Sequence, residues 1–407
     1  MQTPWDHRYA QRTQHMKSSA IRELLKLTES TDVISFAGGL PAPEVFPVEE
    51  FKVACAYVLD HFGAQALQYG STDGYTPLRE MLAQYSNRLG INVDTSNILI
   101  TSGSQQALDL LGMVFINPGD RIVVESPTYL GALQAWNAYG AEYVTVPCDG
   151  EGMVVDKLEE ALRTGPKFIY VLPNFQNPTG VTLSLERRKQ LVKLADRYGV
   201  PIVEDDPYGQ LRYEGENISS IELLDANSHE QDGHFTGNVI YLSSFSKILS
   251  PGLRLAWMIA PTEVISKLIT AKQGADLHTA TFNQIVAHVI CKDGFLDRHI
   301  LHIQEDYRVR RDAMLESLEE QMPEGVTWTH PHGGLFLWAK VPHQINTLDL
   351  FESAVKEKVA FVPGEQFFAA NPETNSMRLN FSCCMPDVIN EGVSRLGRLI
   401  KQELVRK

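Results

Sequence analysis

From about Asn97 to Ile259 the chain alternates short runs rich in β-branched residues with longer stretches of helical spacing. The runs fall at 97–101, 121–126, 141–146, 167–172, 200–205, 238–244 and 255–260. Most lack a period of two and are bounded by Gly, Pro or Asn. Strands covered by helices on both sides read this way, because neither face meets water. The stretches 104–115 and 184–199 between them have helical spacing. The second opens on Ser184, but Arg187 stands three residues on where a capping box needs Glu or Gln. Such alternation implies an α/β layer fold with a mostly parallel sheet and right-handed crossovers.

After Pro261 the pattern changes. Helical segments at 262–272 and 280–292 lead into a long one at 295–321, followed by fewer, more mixed elements and a last helix at 386–404. A chain of 407 residues is long enough for two to three units at about 150 residues each. The reading divides it into an N-terminal segment over the active site (1–45), a large α/β domain (46–290) and a smaller α+β domain (291–407).

Charge narrows the partners. Lys and Arg number 36 against 50 Asp and Glu, a net charge of −14. That surface repels polyphosphate, so nucleic acid and anionic membrane are excluded as partners. No apolar run reaches the ~20 residues of a membrane span. The N-terminus has no apolar core, so no secretory signal is read there. Asp6 and the lack of a clean amphipathic stretch argue against an organellar leader. Five cysteines are an odd number, and Cys383 and Cys384 are adjacent. All five are read as reduced, in the cytoplasm.

Three segments carry chemistry. In SSFSKILSPGLRLAW (243–257), Lys247 has hydroxyls two and three residues upstream, and Arg254 lies eight positions past Ser246. A Schiff-base lysine beside a phosphate site would look like this; so would a polar turn with one solvated lysine. NFQNPTG (174–180) follows a strand and places Asn177 where α/β sheets bind ligands, at the carboxyl end. The same Asn-Pro and Thr-Gly pairs also make an ordinary strand-to-helix loop. VEDDPYG (203–209) can aim Asp205 and Tyr208 at one ring, and a buried carboxylate there needs a cationic partner. An exposed acidic turn is the other reading, and Asp206 is assigned to it.

Taken in order, these motifs resemble the fold-type-I pyridoxal 5′-phosphate aminotransferases, the aspartate aminotransferase family. Asn-Pro-x-Gly is followed by Asp-x-x-Tyr, then Ser-x-Ser-Lys with Pro-Gly-x-Arg, then a late strand arginine. The resemblance spans nearly the whole chain. It is strongest to the branch with 2-aminoadipate aminotransferase and multi-substrate enzymes, through FAGGLPAPEVFP, LQYGSTDGY, TSGSQQALDL, KQGADLHT and VAFVPG. No DNA-binding region is read ahead of the core, which disfavours the related transcription regulators.

The resemblance implies a large domain with a mostly parallel seven-stranded sheet, a homodimer with composite sites, and amino-acid and 2-oxo-acid substrates. It implies that Lys247 is the Schiff-base lysine and the acid/base of the proton shift. Asp205 would pair with the pyridinium nitrogen, Asn177 and Tyr208 with the ring's O3′, and Tyr129 would stack on its face. Gly103, Ser104 and Gln105 open a helix whose free N–H groups and dipole favour a dianion. Ser244, Ser246 and Arg254 add donors. Tyr69 matches the residue that crosses to the partner's phosphate, although a core tyrosine in a loop reads the same.

For substrate, Arg378 matches the arginine that holds the α-carboxylate in a bidentate fork. The main chain near Gly39 would complete that pocket, unless Gly39 serves only the turn's conformation. Arg22 stands where this branch carries an arginine for a distal carboxylate; a solvated arginine paired with Glu23 is equally compatible. No metal is assigned. His299 and His302 are read as a surface helix face, and RVRRD (308–312) as solvated. Rival readings are a β-lyase or decarboxylase on the same scaffold, or a non-catalytic regulatory domain.

Overall fold

The computed structural model describes residues 5–16, 32–229 and 235–406. Its main sheet has eight strands: β1 (Ile98–Thr101), β2 (Arg121–Ser126), β3 (Glu142–Asp149), β4 (Gly152–Met153), β5 (Ile169–Val171), β6 (Ile202–Asp205), β7 (Val239–Ser244) and β8 (Ala256–Ile259). They lie in the order β1-β8-β7-β6-β5-β2-β3-β4. β7, β6, β5, β2 and β3 run parallel; β8 is antiparallel to both its neighbours, and β4 folds back on β3. Seven of the eight are the expected runs. The eighth, β4, has two residues, too short to leave a pattern in the sequence.

Burial explains the run-like strands. Every residue of β1, β5 and β6 is buried, the two acidic residues Glu204 and Asp205 of β6 among them. One apolar cluster built on Ile100, Leu108, Trp136 and Leu242 covers one face. A second built on Val123, Ile169, Leu191 and Ile202 covers the other. A third cluster lies with the four-stranded antiparallel sheet formed by Thr327–Trp328, Phe336–Lys340, Ser376–Asn380 and Val362–Pro363. Phe36 and Ala37 are packed into that cluster, and Ile34–Ser35 pairs in parallel with Val359–Ala360. The segment at 34–37 therefore packs with C-terminal elements.

The helix Ser104–Phe115 has the expected bounds, and the helix Phe295–Gln321 spans 27 residues as expected. The helix Leu185–Tyr198 starts at Ser184 without a side-chain cap and stops at Gly199, whose φ of 62° is left-handed. The Ser184 hydroxyl goes to Glu151 instead.

Two expectations are corrected here. In the 308–312 run, Arg310 and Arg311 are buried. Arg310 donates to the Ser382 carbonyl and pairs with Asp306 at 2.8 Å; Arg311 donates to the Pro331 carbonyl. His299 is also buried, stacked on Phe295. Neighbouring elements pack onto a helix face whose charge pattern alone looks solvated.

Candidate active site

Sequence order reverses between β2 and β5: β3 lies on one side, and β6 and β7 on the other. A crevice at such a switch point is where open α/β sheets bind ligands. Here the chain leaving β2 carries Tyr129, that leaving β5 carries Asn177, β6 ends in Asp205 and β7 in Ser244. All four line one cleft of about 570 Å³, together with Gly39, Ser104, Gln105, Tyr208, Ser246, Lys247, Arg254 and Arg378.

The Lys247 ammonium donates to the Gly39 carbonyl at 2.7 Å. Desolvation lowers its pKa to about 8, aided by the nearby Arg378 and Arg254 charges. Gly39 thus meets the site through its main chain. Neither it nor Gly38 has a positive φ, so no conformational demand explains the pair.

Asp205 is buried, and Tyr170 donates to its Oδ2 at 2.7 Å. Its Oδ1 is buried with no hydrogen-bond partner among the described residues. Desolvation raises this carboxyl to about 7, against the lowering effect of the Tyr170 hydroxyl. Arg378 is the opposite case. It is buried; Nη1 donates to Asn177 Oδ1 and Nη2 to the Ala37 carbonyl, both at 2.8 Å. Its Nε has no hydrogen-bond partner among the described residues, and its guanidinium faces the rings of Phe336 and Phe367, 4.3 and 5.1 Å from their centroids. Burial lowers its pKa to about 10. The cleft therefore holds a buried carboxyl and a buried guanidinium, each with a polar atom left unmatched among the described residues. Such groups are costly unless a ligand completes them.

At the other end, Gly103 opens the helix Ser104–Phe115 at φ 86° with no side-chain cap. A Cβ at this glycine would lie 2.3 Å from Arg254 Nη2. Only glycine lets the arginine approach this helix start. The Ser244 hydroxyl donates to Ser246 Oγ and accepts from the Ser246 N–H, at 2.8 and 3.0 Å. Gln105 directs its side-chain amide to the Gly131 carbonyl, leaving its backbone for any anion. Tyr129 is half-buried over Gly131, where a Cβ would lie 2.4 Å from its ring.

One expected residue falls elsewhere. Tyr69 is 78% exposed and does not line the cleft, so it is no core tyrosine. Its ring meets His278 edge-on, and the next N–H, of Gly70, points at His278 Nε2 at 3.3 Å. Arg22 lies outside the described residues.

Asp206 is not an exposed turn residue: it is buried. Its Oδ1 accepts from Asn174 Nδ2 and the Gly209 N–H, at 3.0 and 2.8 Å. The turn doubles back on its own carboxylate. Among the described residues, the acidic and histidine side chains close enough to share an ion are Asp196, Asp225 and His229, not His299 and His302.

Residues 44–396 match the family model "Aminotransferase class I and II". The chain belongs to that family. It is 52% identical over 403 residues to "Aromatic-amino-acid aminotransferase 1" of Thermococcus litoralis, covering 97% of this chain and 94% of that one. It is 44% identical to the "2-aminoadipate transaminase" of Thermus thermophilus over 398 residues, covering 98% and 97%. In structure it resembles the alpha-aminoadipate aminotransferase of Thermus thermophilus solved with N-(5′-phosphopyridoxyl)-L-leucine. The TM-score is 0.92, the identity 41%, and all of both chains is covered.

The aminotransferase is thus a fold-type-I pyridoxal-phosphate enzyme, and its residues fit that cofactor. The unmatched Asp205 Oδ1 suits a protonated ring nitrogen, Lys247 suits an aldehyde, and the Gly103–Arg254 cradle suits a phosphate. Sequence reasoning missed Tyr170, Phe336 and Phe367. Tyr170 sits within an apolar run, where nothing distinguishes a donor from a core ring. The two phenylalanines come from strands and turns far along the chain.

Proposed function

We propose that the aminotransferase uses pyridoxal 5′-phosphate to move an amino group from a 2-aminoadipate, glutamate, leucine or aromatic donor to 2-oxoglutarate, in a ping-pong cycle. The observation that carries this reading is the pair of incomplete buried groups, Asp205 and Arg378, which line one cleft with Lys247. The bound cofactor supplies an aldehyde and an electron-withdrawing ring. Asp205, through its unmatched Oδ1, would keep the ring nitrogen protonated. Asn177 and Tyr208 would hold the ring's O3′, and Tyr129 would stack on the ring. Gly103, Ser104, Gln105, Ser244, Ser246 and Arg254 would hold the phosphate.

Lys247 Nζ would serve as the acid and base that takes a proton from the substrate's Cα and gives one back. A pKa of about 8 suits both directions, since roughly a quarter of such an amine is neutral at pH 7.5. Arg378 holds the α-carboxylate with the aid of Asn177 and the main chain around Gly39. Phe336 and Phe367 keep water from it.

The exposure of Tyr69 and its edge-on contact with His278 support a homodimer in which Tyr69 reaches the partner's phosphate. Arg22 selects dicarboxylate donors. The five free cysteines support a reducing, cytoplasmic setting. The test is a panel of amino donors with 2-oxoglutarate on the purified protein. Glutamate formation dependent on the donor supports the reading. Ammonia or CO₂ release independent of 2-oxo acid overturns it.

A further inference from the structure

Behind the cleft lies a chain of buried polar groups that the proposed chemistry does not use. Arg188, on the helix Leu185–Tyr198, is wholly buried. Among the described residues its guanidinium makes no bond to a carboxylate. It donates instead to the carbonyls of Leu183 and Pro173 at 2.9 Å and of Ser219 at 3.0 Å, and to Asn174 Oδ1 at 2.6 Å. Asn174, itself buried, passes the interaction on: its Nδ2 donates to Asp206 Oδ1 at 3.0 Å. Asp206 then accepts from the Gly209 N–H at 2.8 Å and from the Tyr241 hydroxyl at 3.3 Å. Its own carbonyl takes the Ser243 hydroxyl at 2.9 Å. A Cβ on Gly209 would lie 2.2 Å from Asp206 Oδ2, so the turn closes on this carboxylate only because residue 209 has no side chain.

The connection matters because of what each end carries. Asn174 precedes Asn177 by three residues in the loop after β5. Asp206 lies between Asp205 and Tyr208 in the loop after β6. An amide fixed at both its oxygen and its nitrogen has one orientation, set by the all-donor guanidinium on one side and the carboxylate on the other. The bridge therefore joins the loop that carries Asn177 to the loop that carries Tyr208.

We propose that Asn174 is a positioning residue, which ties the loop of Asn177 to the loop of Asp205 and Tyr208 and so sets the two donors offered to the cofactor's O3′. This rests on the cofactor reading above. The bridge acts through hydrogen bonds and not through the Asp206 charge, because Asn174 is neutral and the carboxylate already has three donors.

The test is the pH titration of the visible absorption band in the cofactor-loaded protein, read alongside Tm. Asn174→Ala misaligns the donors, and the midpoint of the titration moves upward by about one pH unit or more. Arg188→Lys loses part of the clamp and moves it in the same direction by less. Asp206→Asn keeps an acceptor at Oδ1 and leaves the midpoint within about half of the Asn174→Ala shift. A fall in Tm or activity in Asn174→Ala and Arg188→Lys with an unmoved midpoint overturns the proposal, as it then only supports the fold. So does a shift confined to Asp206→Asn, which would mark a charge effect. A wild type with no visible band overturns the cofactor reading itself, and the inference with it.

Discussion

Tyr170 donates its hydroxyl to one oxygen of Asp205 at 2.7 Å, and the other oxygen has no partner among the described residues. The strand β5 thereby presents the end of β6 with its carboxylate half-satisfied and aimed. Tyr170→Phe removes a bond to a charged acceptor, an interaction of about 1.5–3 kcal/mol. The expected result is a roughly 10- to 100-fold lower kcat/KM with weaker cofactor retention. Steady-state kinetics and cofactor titration check it, and an unchanged variant counts against Asp205 as the ring's counter-charge.

The same carboxylate makes the cofactor-free protein sensitive to pH. Burial raises Asp205 to about 7, from an ordinary value near ~3.9. The folded state then holds the proton more tightly than the unfolded one. Stability contributed by the protonated group is present below about pH 4 and is lost as pH climbs to about 7. Tm of the cofactor-free protein, followed from pH 5 to 8, falls less steeply in Asp205→Asn. Glu125 and Glu204, also raised to about 7 by burial, keep some slope in both. Identical slopes would contradict the assignment.

Gly103→Ala places a methyl 2.3 Å from Arg254 Nη2 at a φ of 86°. Strain of about 1–2 kcal/mol is expected from the backbone alone, and the arginine must withdraw. Cofactor Kd rises by at least an order of magnitude, while Tm falls by a few degrees. Retained affinity would show that the cradle is not where the phosphate binds.

Arg378→Lys keeps the charge but not the planar fork. KM for every amino donor rises by roughly 10- to 100-fold, with a smaller change in kcat. Arg22→Ala should behave differently. It costs 2-aminoadipate about 2–5 kcal/mol if the distal pair is buried, and costs leucine little. Comparing kcat/KM for the two donors checks both at once; equal losses in Arg22→Ala would remove it from donor selection.

The legible part of the site is the part attached to strand ends. Lys247, Asn177 and Tyr208 follow β-branched runs and Asp205 ends one, which puts them at strand ends facing one crevice, while their roles came from the family resemblance. Arg378 stands out because an arginine inside an apolar strand must have a partner. Asp206, Asn174, Arg188 and Tyr170 are hidden for the opposite reason. Their partners come from other elements, and a polar residue in a turn or a tyrosine in a strand looks the same whether buried or wet. Arg310 and Arg311 show this on a helix: their charge pattern is that of a solvated face, and packing by the 382 and 331 segments covers it. The two-residue β4 is invisible because it follows from β3 turning back, not from its own residues.

The central claim is that the Lys247 amine bonds the cofactor aldehyde. Reduction of the loaded protein with borohydride, followed by peptide mapping, tests it directly. The account predicts one phosphopyridoxyl label, on Lys247, and none in Lys247→Ala. A label on another lysine, or an unlabelled wild type, would contradict it.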